Sequence, residues 1–168
     1  ILIKKKDKFF VEDVCIDSII EKFSTPTYIY SKSRIEDNFK NLESAFKNVD
    51  HLICFAVKAN SNLAILNLLA KNGAGFDIVS GGELRRVIAA DGDPKKIVFS
   101  GVGKTSEEIK LAIENNILAF NIESEDELTR IQEIAKSLSK QASISIRVNP
   151  NVNANTHPYI STGLKENK

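Results

Sequence analysis

The chain of 168 residues is 42% hydrophobic and 27% charged, the make-up of one ordinary globular domain or part of a larger one. Its 23 basic residues against 22 acidic ones leave a net charge of +1, which argues against a protein whose main work is coating nucleic acid or an anionic membrane. The longest apolar runs, such as Leu52 to Val57, fall far short of the roughly 20 residues that cross a bilayer, so small-molecule chemistry is the better expectation.

In chain order, Ile1-Leu2-Ile3 precedes Lys4-Lys5-Lys6, which puts the charges after the apolar residues, the reverse of a secretory signal. No Met occurs anywhere, as expected of a processed or excerpted piece. Cys15 and Cys54 belong to no CxxC or Cys/His cluster and read as reduced packing thiols of a cytosolic protein. Beyond this start, short apolar runs alternate with helical patterns at a near-constant interval, the signature of successive βα units. The predicted strands are Thr27–Tyr30, Leu52–Val57, Phe76–Val79, Ile97–Ser100, Leu118–Ile122 and Ser143–Val148. Several are apolar at consecutive positions, as strands are when helices cover both faces of a parallel sheet or surround a barrel.

The first predicted helix carries Ile35, Phe39, Leu42 and Phe46 on one stripe, with Ser33 and Glu36 in capping-box spacing at its start. Further helices are expected over Leu63–Lys71, Glu83–Ala90, Ser106–Glu114 and Asp126–Leu138. A closed barrel of eight such units takes about 250 residues, whereas the pattern ends in a polar loop over Asn149–Lys168. Either an open doubly wound sheet or a barrel stopped before closing fits, and periodicity does not choose between them.

Lys58 directly follows the apolar strand Leu52–Val57, which places an amine at the carboxyl end of a parallel strand, where α/β folds bind substrates and cofactors. Among apolar walls and near another cation, such an amine becomes a usable nucleophile toward a carbonyl carbon. On position alone, a snorkelling surface lysine is the favoured reading.

Its neighbours sharpen the reading. Ala56-Val57-Lys58-Ala59-Asn60, followed by Ser61-Asn62, resembles the lysine motif of the fold-type III pyridoxal-phosphate enzymes. The blocks Gly75–Leu84, Phe99–Thr105, Phe120–Ser124, Ile146–Pro150 and Thr156–Lys168 then resemble, in unbroken order, the diaminopimelate decarboxylase family. That resemblance implies an α/β fold, the N-terminal part of a (β/α)8 TIM-type barrel lacking its closing units and most of the family's C-terminal β-sandwich. Residues 1–25 would be an N-terminal segment that belongs with the β-sandwich in the family, and residues 26–168 a partial barrel that binds pyridoxal 5'-phosphate.

The resemblance also implies roles. Lys58 would be the catalytic residue that holds pyridoxal phosphate covalently. Asp77 and Arg147 would line the cofactor pocket, with Arg147 near the ring oxygen and keeping the surroundings cationic. His157, Ser161 and Thr162 would lie in the substrate loop. Without the motifs, Asp77 reads first as a helix N-terminal charge and Arg147 as a strand-end ion pair. The family's phosphate-binding glycine loops, ring-stacking histidine, glutamate partner of the pyridine nitrogen and proton-donor cysteine have no counterparts in the sequence.

The implied activity is decarboxylation of meso-2,6-diaminopimelate to L-lysine in a cytoplasmic homodimer, with no nucleic-acid or membrane partner. The alternatives are a non-catalytic module that needs a complementary chain, and another barrel decarboxylase acting on arginine or ornithine. Three other features carry less. Gly103-Lys104-Thr105 mimics the end of a P-loop, but Val98 stands where that motif needs glycine. Gly81-Gly82 opens a helix and reads as a tight turn before an anion cradle. His51 and His157 have no ligand spacing around them.

Overall fold

The computed structural model describes residues 2–152. Three short strands, β1 (Leu2–Lys5), β2 (Lys8–Val11) and β3 (Val14–Cys15), form an antiparallel meander and lead into helix α1 (Ile16–Phe23). Lys6 and Glu12 adopt left-handed backbone in the two turns, at φ 48° and 54°. Glu12 then reaches helix α2 (Lys32–Ala45): one carboxylate oxygen accepts from Ser31 Oγ at 2.6 Å, Ser33 N at 2.8 Å and Ser33 Oγ at 2.9 Å.

That contact overturns the expected capping box. Ser31 is the N-cap of α2 and accepts from the backbone N–H of Arg34, while the Ser33 hydroxyl is committed to Glu12, 21 residues earlier in the chain. The strand expected at Thr27–Tyr30 is also absent; the segment is irregular and exposed, with Tyr28 88% accessible. A strand needs a ladder partner, and the next strand along the chain, β4 (Cys54–Ala56), pairs only with its successor.

The parallel sheet comprises β4 (Cys54–Ala56), β5 (Gly75–Ile78), β6 (Ile97–Phe99), β7 (Ala119–Ile122) and β8 (Ile144–Ile146). Helices α3 (Leu63–Lys71), α4 (Gly81–Ala89), α5 (Ser106–Glu114) and α6 (Glu125–Ser137) connect them in turn. The spatial order is β4-β5-β6-β7-β8, identical to the chain order. Crossovers of one hand that never reverse direction put every helix on the same side of the sheet, whereas a doubly wound sheet requires a switch point. The order therefore chooses the barrel type of winding. Among the described residues β4 and β8 are the two edges of an open sheet.

The strands alternate between two faces, as side chains of period two must. Phe76, Ile78, Ile97, Phe99, Phe120 and Ile122 point to the helices and are at most 4% exposed. They pack with Leu66, Leu84, Val87, Ile109 and Ile131 in one core, and burial of each such side chain contributes about 1.5–3 kcal/mol. The consecutive apolar residues thus serve one helix-covered face. The opposite face carries Ala56, Asp77, Val98, Asn121 and Ser145, all half-buried or exposed. At β8, where no following helix is described, Ile144 and Ile146 are 41% and 69% exposed. No helix among the described residues is long and apolar enough to cross a membrane.

Candidate active site

The carboxyl ends of the five parallel strands meet along one rim, and the chemistry-bearing side chains collect there. Lys58 lies in a 3-10 turn over Val57–Ala59, directly beyond β4. Val57 is fully buried and anchors the turn, while Lys58 is exposed. Its amine forms no hydrogen bond or ion pair among the described residues.

Asp77 belongs to the adjacent strand, paired in register with Ala56. Its Oδ1 accepts from Ser100 Oγ at 2.5 Å, and Asn121 Nδ2 donates to the same hydroxyl at 2.8 Å. Asn121 occupies the serine oxygen as a donor, so the serine's single proton is directed to Asp77. A polar row therefore runs across β5, β6 and β7, from amide to hydroxyl to carboxylate. The field of Asp77 also reaches Cys54, whose thiol is pushed up chiefly by burial and secondly by that negative charge.

Arg147 stands at the far edge, just after β8. Its Nη1 lies 3.3 Å from both carboxylate oxygens of Glu123, whose side chain is 7% exposed. Arg147 thus gives its charge to an ion pair with Glu123. Ser100, Asn121, Glu123, Ser145 and Arg147 line an open cleft of about 330 Å³, within the size range of small-ligand sites. Outer-surface grooves of about 480 and 370 Å³ are larger; of Lys58, Asp77 and Arg147, only Arg147 lines one of the three, the 330 Å³ cleft.

Glutamates hold the loops of this rim in place. Ser80, Thr105 and Ser124 cap α4, α5 and α6 by accepting from the backbone N–H three residues on. Glu83, Glu108 and Glu127 at those third positions turn back onto the loops. Glu83 accepts from Val79 N at 2.8 Å, Glu127 from Glu123 N at 2.7 Å, and Glu108 from both Thr105 N and Gly81 N. The Gly81 and Thr105 amides hold the Glu108 carboxyl below the usual carboxylate range. A Cβ on Gly81 would lie 3.0 Å from Glu108 Cγ, so glycine serves close approach here, and its N–H is given to an internal carboxylate instead of a ligand. The Ser/Thr-x-x-Glu spacing, present in the sequence at Ser80, Thr105 and Ser124 among other places, was the available signal for these loops.

Lys104, the lysine of the P-loop mimic, is 3% exposed and donates to Gly101 O, Asn121 O and Glu127 Oε1 at 2.6, 2.9 and 2.7 Å. All three of its donors are spent internally, so it holds no phosphate. His51 contacts Val49 O through Nδ1 and lies 3.6 Å from Glu43, away from this rim. Among the described residues no group of three His, Cys, Asp or Glu is placed to hold a metal ion. His157, Ser161 and Thr162 lie outside the described residues.

Residues 32–168 match the family model for the pyridoxal-binding domain of the pyridoxal-dependent decarboxylases. The diaminopimelate decarboxylase of Pseudomonas fluorescens is 59% identical over 162 residues, 96% of this chain and 39% of the relative. The crystal structure of diaminopimelate decarboxylase from M. jannaschi superposes with a TM-score of 0.91 at 46% identity, covering 99% of this chain and 40% of that one. The Helicobacter pylori diaminopimelate decarboxylase crystallised with L-lysine superposes at 0.87 with 52% identity, covering 90% and 39%. The chain thus spans about 39% of the length of the curated relatives it matches, and its sequentially ordered sheet corresponds to the N-terminal part of their fold-type III barrel.

Proposed function

Since this chain belongs to the pyridoxal-dependent decarboxylases, through a match over residues 32–168, we propose that it contributes the cofactor-holding lysine and one wall of the active site of a diaminopimelate decarboxylase. The reaction is release of carbon dioxide from meso-2,6-diaminopimelate to give L-lysine, carried out with pyridoxal phosphate in the cytoplasm by a homodimer. Residues 26–168 are the barrel part of that enzyme, and residues 1–25 associate with its β-sandwich. The observation that supports the reading is Lys58, an exposed amine just beyond the carboxyl end of β4, whose last residue, Ala56, pairs in register with Asp77.

The donor set fits pyridoxal phosphate. A free primary amine suits an aldehyde, and the polar inner face offers a carboxylate, a hydroxyl, an amide and a guanidinium around an open cleft of about 330 Å³. Lys58 would hold the aldehyde carbon, with Asp77 and Arg147 bordering the ring. When bound, the cofactor supplies the electron sink into which the electrons of the broken carbon–carboxylate bond are drawn.

The protein's part is orientation. Ser100, fixed by Asn121, keeps the Asp77 carboxylate in one rotamer with its remaining lone pairs available. Glu123 holds the Arg147 guanidinium at the cleft, so that a cation and an anion, Arg147 and Glu123, border the same opening. Preset charges of this kind need no reorganisation when charge shifts in the reaction.

The test is borohydride reduction of the complete protein with pyridoxal phosphate, peptide mapping, and assay of carbon dioxide release from meso-diaminopimelate, arginine and ornithine. The label is expected on Lys58, absent from Lys58→Ala, with release from diaminopimelate. Labelling elsewhere, or faster turnover of arginine or ornithine, overturns the reading.

A further inference from the structure

Lys104 and Glu127 form an ion pair whose side chains are 1% and 8% exposed, at 2.7 Å, beneath the rim. Such a pair has no obvious stabilising purpose, because desolvation of two charges offsets their attraction and an apolar pair often serves stability as well. Its connections show another use. Lys104 donates to Gly101 O and to Glu127 Oε1. The other Glu127 oxygen accepts from Glu123 N, and Glu123 Oε1 accepts from Gly101 N at 3.1 Å. The four residues close a circuit that joins the β6–α5 loop, the β7–α6 loop and the first turn of α6.

Glu123 is the circuit's only member that also faces the cleft, where it grips Arg147. Gly101 contributes the bend, with φ at +98°, a conformation that side-chain-bearing residues rarely adopt. Lys104 further donates to Asn121 O, on the strand that supplies the amide to Ser100. One buried ammonium therefore sets the backbone beneath both halves of the polar rim.

We infer that Lys104, acting through Glu127 and Glu123, is a positioning residue that fixes Arg147 at the cleft of the proposed reaction. The inference rests on the proposed function for what Arg147 then does, but not for the circuit itself. A lysine suits the position because three donors around one nitrogen meet three acceptors from three elements, whereas the planar fork of arginine does not match that arrangement.

The test compares wild type, Lys104→Met, Arg147→Lys and the double variant in the complete protein. Pyridoxal phosphate affinity is read from its visible absorbance, and amide exchange is read at Gly101 and Glu123. Each single variant is expected to weaken binding about tenfold, as loss of a charge-assisted hydrogen bond does, with the double no worse than Arg147→Lys alone. Faster exchange at both amides in Lys104→Met is expected as well. Multiplying losses, or Lys104→Met with wild-type affinity, overturns the inference. Should Lys104→Met fail to fold, Lys104→Met/Glu127→Leu removes both charges together, and wild-type affinity in that variant overturns it equally. Unchanged exchange would remove the circuit. Faster exchange in a protein whose wild type binds no pyridoxal phosphate would instead defeat the functional reading and leave the circuit standing.

Discussion

The Ser100 hydroxyl donates to the Asp77 carboxylate at 2.5 Å across neighbouring strands, and Asn121 completes the row from the third. Ser100→Ala removes the only side-chain donor seen on Asp77 among the described residues. Hydrogen bonds to charged groups are worth about 1.5–3 kcal/mol. If the proposed function holds, the variant in the complete protein is expected to lower kcat/KM on meso-diaminopimelate roughly tenfold or more, with melting temperature little changed. Unaltered kinetics would show that Asp77 needs no help in orientation.

Acid should loosen the rim. The Gly81 and Thr105 amides hold the Glu108 carboxyl below its ordinary value of 4.5, so the folded chain keeps the anion more strongly than the unfolded one does. Its stabilisation is complete above the unfolded value and disappears as pH falls through the lower folded value. Glu108→Gln is expected to be less stable than wild type at neutral pH and to converge with it in acid, by urea denaturation across pH 2 to 7. A constant gap between the two curves would contradict this.

Glu12 behaves in the same sense at the other end of the barrel segment. Hydrogen bonds from Ser31 and then Ser33 lower its carboxyl, so the link between the N-terminal meander and α2 weakens as pH drops through that lowered value. Glu12→Ala is expected to speed amide exchange at Ser33 at neutral pH, with exchange in β5 and β6 unaffected. Equal acceleration throughout would indicate global destabilisation instead of a local latch.

Phe99 is fully buried and stacked with Phe120 at 6.0 Å between ring centroids. Phe99→Ala is expected to cost about 3–5 kcal/mol, measured by denaturant titration. The same substitution should weaken cofactor binding, because Ser100 is the next residue and inherits its position from the strand. A large loss of stability with wild-type affinity would separate the core from the rim.

Gly101→Ala places a Cβ on a residue at φ +98°. The nearest atom it would meet is Val79 Cβ at 3.7 Å, so the cost comes from backbone strain and not from collision. A loss of at least about 1 kcal/mol is expected, with faster exchange at Gly101. Neutral stability would mean that the loop readily takes another conformation.

Much of the fold is legible in residue order. Phe76, Ile97 and Phe120 mark strands that the structure confirms, and the helices at Leu63, Ser106 and neighbouring segments begin within a few residues of their expected starts. Thr105-x-x-Glu108 forms a capping box, whereas Ser33-x-x-Glu36, with the same spacing, does not, because Glu12 takes the serine. The distinguishing contact comes from 21 residues away and leaves no local trace. Thr27–Tyr30 has strand-forming residues but finds no partner, and ladder bonds, unlike helix bonds, depend on a second segment.

Sequence alone determined the βα alternation, the apolar face and the family's lysine motif, because each depends on the period and identity of near neighbours. Tertiary structure alone decided the barrel type of winding, the row from Asn121 through Ser100 to Asp77, and the pairing of Arg147 with Glu123. It also turned Lys104 from an apparent phosphate-binding lysine into an internal anchor. These features join residues from separate βα units, and hydrogen bonds and ion pairs act over a few ångströms of space regardless of how much chain lies between their partners.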